Sequence, residues 1–197
     1  MVLFLKPPRQ NFIFVLRAKT IYKLQDMSNT YHQIYIQTVF AVKYRNALID
    51  KAWKLTLCGV IGNLINETGC RTLIVNGVED HIHCFFELKP ALSVSEVMQS
   101  AKAKSSKWIN ESGHLPNRFE WQRGFGAFSY SKSHIHNVIK YIQNQESHHK
   151  KQSFLDEYRE FLKRFEVEYE EAYIFQERFK MKCLIALFFI SAMPMEF

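Results

Sequence analysis

Segment 81–88 reads HIHCFFEL. In a strand, residues two apart point to the same side. His81, His83, Phe85 and Glu87 then share one face, while Ile82, Cys84, Phe86 and Leu88 form an apolar other face. Two imidazoles projecting together suit one divalent metal ion. Asp80, just before them, is placed to accept from an imidazole by its outer nitrogen. The plain alternative is a histidine pair lining a polar sheet face, because a two-residue metal motif is weak by itself. The same triplet recurs at His134-Ile135-His136, where it opens a helix. Helical neighbours two apart diverge by about 200°, so that second pair is read as facing solvent.

The other chemical stretch is KYIQNQESHHKK, residues 140–151. Ile135, Val138, Ile139 and Ile142 make the apolar stripe of a helix over 134–150. Tyr141, Gln145 and His148 fall together on the flank of that stripe, with Tyr141 and Gln145 one turn apart. A neutral amide oxygen from Gln145 could join two neutral imidazoles on a metal. Such a site stays dicationic and open to a phosphate, and a phenol beside it is a nucleophile.

The elements that must position these groups follow from periodicity. YHQIYIQTVFAV (31–42) reads as a strand with Ile34, Ile36, Phe40 and Val42 on one face. Residues 50–69 turn helical and stop at Gly69. RTLIVNG (71–77) and 81–88 are strands joined by a turn. SVSE (93–96) has the form of a capping box opening a helix that runs to about residue 110. FEWQRGFGAFSYS (119–131) reads as a fourth strand segment, Ser133 caps the tyrosine helix, and Ser153 with Asp156 opens a helix over 154–165. A short closing strand is expected within 166–175. The order β-α-β-β-α-β matches the α+β, ferredoxin-like split βαβ arrangement: one antiparallel sheet with helices on one face, plus an extra C-terminal tyrosine-bearing helix. The second sheet face is expected to stay open for a site or a partner.

The chain has 197 residues, 47% hydrophobic and 15% aromatic, which suits one folded domain. A net charge of +7 favours a polyanionic partner without naming it. Candidate phosphate contacts are Lys102, Lys104 and Lys107 on the second helix, Arg123 and Lys132 around the glycine strand, and His148, His149, Lys150 and Lys151 at the end of the tyrosine helix. Tyr35, Trp121 and Phe125 either stack on unpaired bases or pack in the core. Cys58, Cys70, Cys84 and Cys183 include no C-x-x-C pair, so neither a zinc knuckle nor a thioredoxin-like site is indicated, and a reducing, cytoplasmic setting is expected. Residues 1–26 read as an N-terminal extension, 27–176 as the folded domain, and 177–197 as an apolar tail. Within that tail, the mostly apolar run 183–195 is shorter than the roughly 20 residues a spanning helix needs, so no membrane partner is expected.

Several separated stretches taken together, DHIHCFF, GFGAFSYSKS, YIQNQESHHKK, SFLDEY and FLKRFEVEYEEAYIF, resemble the single-tyrosine HUH transposases of the insertion-sequence 200/605 family, over about residues 28–176. The resemblance implies that His81, His83 and Gln145 bind a catalytic Mg2+ or Mn2+, with Tyr141 as the nucleophile. It implies a homodimer in which the tyrosine helix of one subunit serves the histidines of the other. The implied substrate is single-stranded DNA with hairpin ends, in a bacterial or archaeal cell. Phe125 and Tyr130 depart from residues common in related sequences, away from the chemistry. Two other readings stand beside it. One is a catalytically inactive ferredoxin-like nucleic-acid-binding protein. The other is a replication-type HUH nickase, although such enzymes often carry a third histidine ligand and further domains.

Overall fold

A computed structural model describes residues 31–171 and residue 174. The expectations for 1–26, for 177–197 and for Cys183 lie outside those residues.

Four antiparallel strands form one sheet: β1 (Tyr35–Ala41), β2 (Arg71–Gly77), β3 (His81–Glu87) and β4 (Gly126–Tyr130), in the order β2-β3-β1-β4. This is the split βαβ order. The crossovers are α1 (Lys51–Glu67) and α2 (Val94–Glu111). Asp50 caps α1 by accepting from Ala52 N at 2.7 Å, and Gly69 ends that turn at φ +92°. At α2, Ser93 and Glu96 exchange the two hydrogen bonds of a capping box.

The period-2 pattern of the strands decides which residues meet. Ile36 and Phe40 of β1 with Ile82, Cys84 and Phe86 of β3 face α1 and α2, joining Leu57, Ile61, Met98 and Ile109 in the main core. The opposite face carries Gln37, Val39 and Ala41 beside Phe85, His83 and His81, paired in that order across the ladder. This second face is not open. It is covered by α3 (Ile135–Gln143), the short α4 (Gln145–His149) and α5 (Phe154–Arg164). Val138 and Ile142 pack on Phe85, while Phe154, Phe161 and Leu162 pack with Val39, Ala41 and Phe128. The apolar stripe of the tyrosine helix needs a partner surface, and Phe85 supplies it.

Three local expectations are corrected. The strand expected over 119–131 is regular only over Gly126–Tyr130. Upstream, a single antiparallel bridge joins Trp121 to Val42, with Lys43 N donating to Glu120 O at 3.0 Å and Gln122 N to Ala41 O at 2.9 Å. Phe119 N and Trp121 Nε1 bond to Asn110 and Ser105 of α2, and Gly124 turns the chain at φ +77°. The single helix expected over 134–150 is broken at Asn144 (φ −94°, ψ 17°). It is preceded by a 3-10 turn, Lys132–His134, and Ser133 provides no cap bond. No strand closes the chain among the described residues after 165. Glu166, Glu168, Glu170 and Glu171 line an exposed segment there, with Glu166 at φ 52°.

Candidate metal and nucleophile site

The site begins with the β2–β3 turn. Val78 N donates to His81 O at 3.1 Å, which starts β3 at the first histidine. Gly77 makes this possible, since a Cβ there would lie 2.2 Å from the His81 carbonyl oxygen. Alternation along β3 then sends His81 and His83 to the second face, both fully buried, with ring centroids 5.1 Å apart.

Each imidazole is held by its outer nitrogen. His81 Nδ1 lies 2.7 Å from Asp80 Oδ1, so Asp80 accepts the Nδ1 proton. Asp80 is itself gripped by Arg45 at 3.1 Å. Burial works against the Asp80 carboxylate, but the hydrogen bonds and charges of His81 and Arg45 outweigh it and hold its pKa below the ordinary range. Burial depresses His81 most strongly, with a pKa of about 3, so the ring is neutral and its Nε2 keeps a lone pair. His83 Nδ1 is 3.1 Å from the side-chain amide of Gln37. The nearer amide atom is Gln37 Nε2, and His83 Nε2 faces inward, buried and without a partner.

Two further groups converge on the same point. Glu157 of α5 is 2% exposed, and its Oε2 lies 3.7 Å from His83 Nε2 and 3.8 Å from His81 Nε2. His149 of α4 brings its Nε2 to 3.0 Å from Glu157 Oε2. Burial, and then the neighbouring His83, lower the His149 pKa. The ligand atoms of His81, His83, His149 and Glu157 all lie within 4.8 Å of one another. Gln145, fully buried, donates from Nε2 to Glu157 Oε1 at 3.0 Å. His81 Nε2, His83 Nε2, His149 Nε2, Glu157 Oε2, Gln145 Oε1 and Tyr141 Oη are all buried without a hydrogen-bond partner. Buried polar atoms are rarely left so, and three imidazoles with one carboxylate are a donor set that fits a divalent transition ion.

Tyr141 stands at the edge. Its ring is half-buried against His83, Phe161 and His148, at 6.0, 5.7 and 5.2 Å between centroids. It lines a cavity of about 290 Å3 with Gln37, His148 and Glu157, and also an open groove of about 430 Å3 with Lys140, Asn144, Ser147 and Lys151. Tyr130 is different, because it packs on Phe85 and Phe165 and burial raises its pKa to about 12. His134 and His136 are both exposed, and His134 bonds to Ser131.

The cations divide by face. Lys102 is half-buried and donates to the carbonyls of Gln122 and Gly124 at 2.7 and 2.5 Å, with its pKa lowered by burial to about 8. Lys104 pairs with Glu67 and Lys107 with Glu111. These three sit on α2, across the sheet from the histidines. Lys102 and Arg123 line a separate cleft with Lys43, Tyr44 and Phe125. Lys132 and Lys150 are exposed beside the tyrosine helix, and His148 lies against Tyr141. Tyr35 and Trp121 are buried in packing.

The sequence reading missed Glu157, and it placed His149 among DNA contacts. One signal was available for Glu157. Phe154, Glu157 and Phe161 fall on one stripe of α5, so a carboxylate interrupts an apolar face.

Residues 30–145, from before β1 to the first residue of α4, match the family described as "Transposase IS200 like". The chain belongs to the IS200-like transposase family. Transposases of insertion sequence element IS200 from Salmonella typhimurium (strain LT2) and Salmonella typhi are each 31% identical to it over 112 residues, covering 54% of this chain and 73% of theirs. Among solved structures, a protein of Deinococcus radiodurans assigned as a transposase gives a TM-score of 0.49 at 15% identity, over 60% of this chain and 95% of that one. A REP-associated tyrosine transposase bound to a REP hairpin gives 0.45 at 16%, over 62% and 74%. Transposase is therefore the activity class of this IS200-like chain. Among its described residues no helix is long and apolar enough to cross a membrane.

Proposed function

We propose that this IS200-like transposase cuts and rejoins single-stranded DNA at hairpin-bearing element ends through a covalent link to Tyr141. The observation that carries the reading is Tyr141 packed on His83 at the mouth of a buried imidazole–carboxylate cluster, with an open groove lined by Lys140 and Lys151 alongside. A groove of that kind suits a phosphate backbone. His81 and His83, with Gln145 beside them as the family resemblance implies, would hold a divalent metal, Mn2+ or Mg2+. The bound ion would supply positive charge to a phosphate and to the leaving oxygen.

In the reaction, Tyr141 Oη attacks the phosphorus and loses its proton to solvent or to a neighbouring base. The bond from phosphorus to the 3′ oxygen breaks, leaving a 5′-phosphotyrosine and a free 3′-hydroxyl. Attack by the 3′-hydroxyl of another end reverses the step and joins new neighbours without a nucleotide cofactor. The Nδ1 contacts of His81 with Asp80 and of His83 with Gln37 keep both rings aimed during this exchange. The expected assembly is a homodimer with each tyrosine helix serving the partner's histidines. In the single chain, α3 rests on its own sheet, and a swap of α3 would preserve the same contacts on the partner's Phe85.

Incubation with a labelled single strand carrying a hairpin, plus Mn2+, should yield a protein–DNA adduct resistant to denaturation, and a chelator should abolish it. Equal adduct with fully duplex DNA, or with chelator present, would sink the proposal.

A further inference from the structure

We propose that the cavity beside Tyr141 is a nucleobase pocket, which takes the unpaired base next to the phosphate that Tyr141 attacks. The inference rests on the reading of Tyr141 as a nucleophile toward single-stranded DNA. It adds a protein contribution to the choice of nucleotide at the cut.

The cavity holds about 290 Å3 and is walled by both the sheet and the helices that cover it. Gln37 reaches it from β1, Tyr130 from β4, Tyr141 from α3 and Phe161 from α5. Three of these four are aromatic. The Tyr141 and Phe161 rings stand edge to face, with centroids 5.7 Å apart. Aromatic walls stack on any base, and a volume near the lower end of small-molecule pockets suits one planar base. A base enters such a space only when it is out of the duplex stack.

The polar groups of the cavity are uncommitted. Gln37 is fully buried, and its Nε2 lies 3.1 Å from His83 Nδ1. Its Oε1, however, is buried without a partner, and so is Tyr141 Oη. At the mouth stand Asn137, Glu160 and Arg164, all exposed. Their side chains make no hydrogen bond or ion pair among the described residues. An amide, a carboxylate and a guanidinium together offer donors and acceptors. A base edge carries both and is read by such groups.

A phosphate is the wrong occupant for this cavity. Two carboxylates, Glu157 and Glu160, line it, and they would repel an anion. Lys140 and Lys151 line the neighbouring groove of about 430 Å3 instead. Tyr141 borders both spaces. A strand crossing the tyrosine can therefore lay its backbone in the basic groove and turn one base into the cavity.

The test uses the full chain with Mn2+ and single-stranded hairpin DNA. The nucleotide on each side of the scissile phosphate is replaced in turn by an abasic one, then by each of the four bases. Single-turnover adduct formation is the readout. At one of the two positions the abasic replacement should slow the wild type by about 10–100-fold, and the four bases should differ. Asn137→Ala and Glu160→Gln should narrow that difference while Mn2+ affinity by calorimetry stays at the wild-type value. Adduct formation indifferent to an abasic nucleotide at both positions would overturn the pocket and leave the nucleophile reading intact. So would a base preference identical in both variants, because the preference would then lie in the DNA. No adduct with any of these strands would overturn both. The wild-type abasic comparison does not depend on any variant folding.

Discussion

His81 and His83 owe their usefulness to one glycine and one strand. The register of β3 puts both rings on the same face, and Gly77 lets the β2–β3 turn close tightly enough to start that strand at His81. A methyl group at 77 would press on the His81 carbonyl. Gly77→Ala should therefore cost about 1–3 kcal/mol of stability, the range for forced overpacking, and should weaken metal binding by displacing His81. Chemical denaturation and calorimetry check this, and unchanged stability would mean that the turn relaxes freely. The histidine pair was legible in the sequence because a strand has a two-residue period. Asp80 was legible because it adjoins His81. His149 and Glu157 were not placed beside the histidine pair, since periodicity places residues on a face of their own element and does not say which elements meet.

At the level of elements, α3 to α5 turn a sheet face into a site. The caps of α1, α2 and α5 and the strand order were readable from local signals such as Ser93 with Glu96 and Ser153 with Asp156. The break at Asn144 was not. A single unbroken helix also has the composition found there, and the kink is set by contacts that form only on folding, including Asn76 Nδ2 bonding to Ile142 O at 2.8 Å and Lys54 pairing with Glu146. Nor was the covered sheet face legible, because the stripe Ile135, Val138, Ile142 announces that it needs a partner without naming Phe85. Ile142 is fully buried in that contact. Ile142→Ala should lower stability by about 2–5 kcal/mol and, under conditions where the protein remains folded, reduce the tyrosine adduct. A variant that loses stability but keeps full adduct formation would show that α3 need not stay docked for the chemistry.

For the whole molecule, the sheet separates two regions. The histidines, Tyr141 and the Lys140–Lys151 groove lie on the side covered by α3 to α5, whereas Lys102 and Arg123 line the cleft beside α2. The proposed dimer joins two such molecules by exchanging tyrosine helices. A mixture of one variant carrying His81→Ala and His83→Ala with another carrying Tyr141→Phe should form adduct through mixed dimers. A silent mixture, with dimers present by ultracentrifugation, would mean that each chain closes its own site. The central claim is that Tyr141 is the nucleophile. The measurement that tests it most directly is peptide mapping by mass spectrometry of the adduct formed with single-stranded hairpin DNA and Mn2+. The expected result is a 5′-phosphate on the peptide containing Tyr141, no adduct from Tyr141→Phe, and normal adduct from Tyr130→Phe. A phosphate on another residue, or full adduct from Tyr141→Phe, would contradict the account.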